Sequence, residues 1–222
     1  LYHIQNANTT GARLFPPTLA ALKALVKVQG RDLYALPDRL EGFFAYYQRD
    51  YSQLIACYQR ALRQLTPAYP SFWFLSDELN FMLTHGYRMT KNYEMALYHE
   101  REMFKAGTPL MGQTLGDADM VRPEVYGQVT NPFVPFSQMA EIYLERYQVS
   151  RKKPDLERAN RFYELTDSLM TAALLEKDEA QILTFQQDMG NNNYADALRA
   201  AHQLYENGDS AKAVNLAFRY IE

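Results

Sequence analysis

Apolar residues recur three and four positions apart along most of the chain, the spacing that lays a single stripe along a helix. After Pro16-Pro17, the residues Leu19, Leu22, Leu25 and Val26 share one face, and Gly30 stops the pattern. Pro37 suits a first helical turn and opens a second helix that runs to about residue 49. The pattern predicts a third from 51 to about 65, ending before Pro67 and Pro70. A fourth covers 71–90, and a fifth 92–106 with Asn92 placed as its cap. A sixth, 135–150, is followed by the basic turn Arg151-Lys152-Lys153-Pro154, and Asp155 opens a seventh that runs at least to 170. In 176–189, Ile182, Phe185 and Met189 keep the period until Gly190-Asn191-Asn192-Asn193 breaks it. Segments 194–206 and 210–222 close the chain as a pair around Asn207-Gly208-Asp209.

Strand signals are scarce: alternating Val/Ile runs are few, and neither Asn-Gly nor Asp-Gly marks a hairpin. The expected fold is therefore all-α, with about ten helices in antiparallel pairs. It is read as one domain over 1–222. One stretch departs from the pattern. Residues 107–134 hold four of the ten glycines and three prolines, with no apolar period. Loops beyond roughly 15 residues are uncommon in compact domains. This stretch is expected to be a long irregular insertion, either projecting from the helices or covering a groove.

Composition trims the function classes. Lys and Arg total 23 against 26 Asp and Glu, a net charge of −3, which argues against a phosphate-gripping nucleic-acid binder. The single cysteine, Cys57, excludes an internal disulfide and any Cys-rich zinc site. No apolar run reaches the length of a membrane span, so no membrane contact is expected of this segment. The chain opens on Leu1 without an apolar leader, which reads as a processed or excised piece.

The helix pairs resemble one another. Gly42, Asp50-Tyr51, Tyr58 and Ala61, with Pro67 following, resemble a tetratricopeptide repeat (TPR), although Leu54 stands where that family usually has Ala. Leu83, Tyr87, Asn92-Tyr93 and Ala96 form a looser copy, with Thr84 replacing the small Gly and Glu100 the aromatic. A third copy, Ala140, Tyr143, Leu156, Ala159 and Tyr163, is stretched at its turn, and Ala201, Gly208-Asp209 and Ala213 make a fourth. Equivalent positions 54, 96, 159 and 213 lie 42, 63 and 54 residues apart, so the copies are degenerate. The resemblance implies antiparallel hairpins stacked as a right-handed solenoid.

Phe162-Tyr163-Glu164-Leu165-Thr166-Asp167-Ser168-Leu169 is similar to the ending of TPR hairpins in Bacteroidetes sensor histidine kinases and related regulators. The same third of the chain, in segments 163–167, 204–209 and 217–222, also resembles helices preceding CHAT protease domains. Either resemblance implies a sensing or docking module of a larger bacterial protein, with the output domain elsewhere. The sensor reading implies a periplasmic location and the protease or regulator reading a cytoplasmic one. What the full-length gene encodes beyond Glu222 discriminates between them.

No catalytic motif stands out. His99-Glu100-Arg101-Glu102-Met103 begins like a zinc-protease helix, but Met103 occupies the place of the second His. Cys57 lacks a sequence neighbour that would activate it and reads as a packed thiol. The acidic pairs Asp77-Glu78 and Glu141/Glu145 could in principle split into an acid and a base, but a solvated charged face explains them more simply. Neither a metal nor a cofactor is expected.

A stacked-hairpin scaffold binds along the surface lined by the first helix of each pair. Taking Gly42, Thr84, Ala140 and Ala201 as the small packing positions puts eleven residues on that surface: Arg39, Phe43, Tyr46, Glu78, Phe81, His85, Arg88, Glu141, Glu145, His202 and Tyr205. Aromatics and Arg are enriched at binding hot spots. The expected partner is a protein or peptide, with a small-molecule signal and a homodimer both left open.

Overall fold

The computed structural model describes residues 15–27, 35–68, 73–107, 133–175 and 195–221. Among them the fold is all-α, with no strand. The described helices are α1 (15–27), α2 (Leu36–Gln48), α3 (Tyr51–Ala68), α4 (Trp73–Met89) and α5 (Tyr93–Gly107). They continue with α6 (Phe133–Ser150), α7 (Lys153–Leu175), α8 (195–206) and α9 (Ser210–Ile221). The helix expected at 176–189 and nearly all of the expected insertion at 107–134 lie outside the described residues.

Prolines shift some boundaries. The helix α6 begins at Phe133 and α7 at Lys153, each about two residues earlier than the sequence pattern suggests. Pro135 and Pro154 then sit in first turns, where backbone N–H groups have no intrahelical acceptor to lose. Pro67 does not end α3 either, which runs one residue past it to Ala68. So close to the terminus a proline forfeits little of the hydrogen-bond ladder.

The chain divides into two compact units, 1–99 and 100–222, with the division inside α5. In the first unit, α3 buries Leu54, Cys57, Tyr58 and Ala61, an i, i+3, i+4, i+7 stripe. The helix α2 meets this stripe with small residues, Gly42 and Ala45. A Cβ on Gly42 would lie 2.5 Å from the Tyr58 ring, so only glycine admits that contact. Asp38 reaches Arg60 and Gln64, while Glu41 reaches Gln53, so α2 and α3 run antiparallel. Gly86 of α4 packs with similar closeness on Leu54 and Ile55. Thr84 donates to the Ala96 carbonyl and Asn80 meets His99, which folds the first turns of α5 back along α4.

The second unit is organised around α6. Phe136, Met139, Ala140, Ile142, Tyr143, Leu144 and Tyr147 are all buried, so this helix is enclosed on most sides. Leu156, Ala159, Phe162 and Tyr163 of α7 are buried too, and Phe162 stacks on Tyr143 at 5.7 Å between ring centres. Asn160 donates to the Ala200 carbonyl of α8, and Asn207 donates to the Tyr147 hydroxyl. The Gln138 amide faces buried Glu100, and with its nitrogen turned towards the carboxylate, the orientation that satisfies both groups, it donates at 3.0 and 3.2 Å, which helps a carboxylate occupy the place of a core aromatic.

Three hairpin turns share one hydrogen-bond pattern. Arg49, Lys91 and Gly208 each take positive φ within two residues of a helix end. Their N–H groups bond back to Tyr46, Arg88 and Tyr205, and the following N–H groups of Asp50, Asn92 and Asp209 bond to Ala45, Tyr87 and Leu204. This is the Schellman arrangement, which uses up carbonyls left over at a helix end. Asp50, Asn92 and Asp209 then start the next helix by accepting from Leu54, Ala96 and Ala213. Asp50 and Asn92 also cap it with their side chains. The turn between α6 and α7 differs: Arg151 has positive φ and bonds to Tyr147, but Asp155 bonds to Lys152 and its carboxylate holds Arg146 at 2.5 Å.

Candidate functional site

Burying Gly42 and Ala45 against α3 turns the large side chains of α2 outward. Phe43 is 46% exposed, Tyr46 36% and Tyr47 51%. Their rings contact one another: Phe43 meets Tyr47 edge-on at 4.9 Å, and Tyr46 meets Tyr47 at 5.6 Å. Large aromatics gathered on a surface, rather than scattered singly, mark an interaction face.

The neighbouring stripe of α4 continues this face. Tyr46 meets His85 at 5.1 Å, and one helical span away Arg39 pairs with Glu78 at 2.6 Å. The two contacts join positions 39 and 46 to positions 78 and 85 in the same order, so α2 and α4 run side by side in parallel. Phe81 lies between Glu78 and His85 on the α4 stripe and is 43% exposed. Tyr51, at the start of α3, also meets His85, with ring centres 5.9 Å apart.

Of the eleven residues read from the sequence, Arg39, Phe43, Tyr46, Glu78, Phe81 and His85 thus fall on one surface of the first unit. Arg88 continues the α4 stripe and is half-buried. In the second unit, Glu141 and Glu145 are half-buried on α6. His202 and Tyr205 are exposed on α8, with His202 3.9 Å from Glu206. The sequence reading missed Tyr47 and Tyr51. Tyr47 was findable, because it follows Phe43 by four residues and so shares its helix face.

Other sites of possible chemistry are quieter. Cys57 is fully buried, and burial, with the nearby Glu41 carboxylate, raises its pKa above the ordinary thiol value. The Arg60 guanidinium 3.3 Å from its sulfur works in the opposite direction without overcoming burial. The thiol is therefore protonated near neutral pH and hidden from substrate. Asp77 and Glu78 do differ in environment: Glu78 pairs with Arg39, whereas burial raises Asp77 to about 6. Adjacent helix positions point roughly 100° apart, so the two carboxylates leave α4 in different directions. Among the described residues, no cluster of His, Cys, Asp and Glu could hold a metal ion, and no helix is long and apolar enough to cross a membrane. Comparison with family models, with curated proteins and with solved structures finds no match.

Proposed function

We propose that this chain is a non-catalytic, TPR-like docking module of a larger bacterial signalling protein. It binds a peptide segment of a partner through the α2–α4 face. The observation that carries this reading is the inversion of α2, with its small residues inside and Phe43, Tyr46 and Tyr47 outside. The hairpin core is already filled by Leu54 and Tyr58 and does not use those rings. Their exposure is therefore unexplained by folding and suited to a partner. Tandem hairpins with matching turns at Asp50 and Asn92 support the TPR-like part of the reading. The Phe162–Leu169 resemblance supports the signalling context.

The test is selection from a displayed peptide library, followed by affinity measurement on Tyr46→Ala and Phe81→Ala. Truncating a hot-spot aromatic costs about 2 kcal/mol, so selected peptides should bind each variant roughly 30-fold more weakly. Melting temperatures should stay close to the parent value, because both side chains are exposed. Peptides that bind parent and variants equally would remove this face from consideration.

A further inference from the structure

In the second unit, three arginines from three helices converge on one buried tyrosine. Arg101 of α5 donates to the Tyr143 hydroxyl at 3.2 Å. Arg146 of α6 lies 5.0 Å from the ring centre and Arg158 of α7 5.7 Å. Tyr143 itself is only 3% exposed, and Phe162 stacks on it, which fixes the ring.

Among the described residues, the arginines of this cluster outnumber the carboxylates paired with them. Arg146 is held by Asp155, whose second oxygen accepts from Ser150. Among the described residues, no carboxylate pairs with Arg101 or Arg158. Arg101 is half-buried and Arg158 exposed, so both guanidinium groups keep donors available. A ring face attracts a cation only weakly, about 0.5–2 kcal/mol, and leaves its N–H groups unspent. Tyr143 accepts from Arg101, and among the described residues its own O–H has no acceptor.

Guanidinium forks match carboxylate and phosphate oxygens. We propose that Arg101, Arg158 and the Tyr143 hydroxyl, backed by the Arg146 charge, form a site for an oxyanion, either a carboxylate or a phosphate group. The fixed tyrosine acts as the post on which the arginines are arranged. The site stands on its own residues and does not depend on the α2–α4 face.

Inorganic phosphate and acetate, each titrated calorimetrically into the full chain at constant ionic strength against chloride, test the site. At least one should bind saturably. Stronger phosphate binding identifies a phosphate-bearing ligand, and stronger acetate binding a carboxylate-bearing one. Arg158→Gln should weaken that binding at least about tenfold, the usual worth of a charged hydrogen bond. Arg158→Lys should restore part of it, because the charge returns without the fork. Arg158 is exposed and makes no ion pair among the described residues, so its variants should fold normally. Arg101→Gln is the second variant, and it also removes the bond to Tyr143. Lys152→Gln, at the exposed turn, should leave binding unchanged, as should Tyr46→Ala. Failure of both anions to bind saturably would overturn the site. So would a loss in Lys152→Gln equal to that in Arg158→Gln, since that pattern means diffuse attraction to positive charge.

Discussion

Asp77 shows how a single side chain can set a pH dependence. One carboxylate oxygen is sealed from solvent and accepts no hydrogen bond from the described residues, and burial raises the pKa to about 6. In the unfolded chain a carboxyl titrates near 3.9, so folding takes up a proton between about pH 4 and 6. The sign follows: above pH 6 the buried charge opposes folding, and the cost disappears as pH falls through 6 towards 4. Because the group is half-exposed, solvent screening limits that cost to about 1 kcal/mol. Asp77→Asn is expected to stabilise the protein by about that amount at pH 7.5 and by nothing at pH 4, as read by urea denaturation at both values. An equal effect at both would place the cause elsewhere than the charge.

At the scale of elements, the hairpin turns carry strain that the sequence could avoid. Arg49 and Lys91 adopt the left-handed conformation that glycine takes freely and other L-residues take at a cost of about 1 kcal/mol. Arg49 and Lys91 are both exposed. Arg49→Gly and Lys91→Gly should therefore each raise stability by about 0.5–1 kcal/mol in chemical denaturation. Gly208 already occupies the equivalent place before Asp209. The acidic or amide residue after each turn was legible in the sequence, since Asp50 and Asn92 are ordinary caps. The left-handed residues were not. A charged side chain ahead of a cap carries no mark of its φ, which is imposed when the chain must reverse between two helices within two or three residues.

At the scale of the molecule, each unit has its own core, and damage to one should stay there. Gly42→Ala drives a methyl into the Tyr58 ring and against Cys57 Cβ, 3.2 Å away. Overpacking of this kind costs about 1–3 kcal/mol. Hydrogen exchange should quicken in α2 and α3 of that variant, while α6 and α7 keep their protection. Uniform acceleration along the chain would mean that the protein unfolds as one cooperative block.

The sequence by itself determined the helical class, the place of most helices and Gly42 as the small packing position of α2. These depend on local period, proline and glycine, which act over a few residues. It also placed Phe43, Tyr46, Phe81 and His85 on one stripe each, because helix geometry follows from spacing. Tertiary structure alone decided which stripes meet. Arg39 and Glu78 were read as separate groove charges, but they neutralise each other across 39 positions once α2 and α4 lie in parallel. Glu100 looked like a failed aromatic until Gln138 was found beside it. Arg101, Tyr143 and Arg158 have no sequence relation at all, and their convergence comes from the packing of α5, α6 and α7. Spacing fixes the direction in which a side chain leaves its own helix. What it meets there is set by the crossing of other helices, and that depends on every buried volume between them.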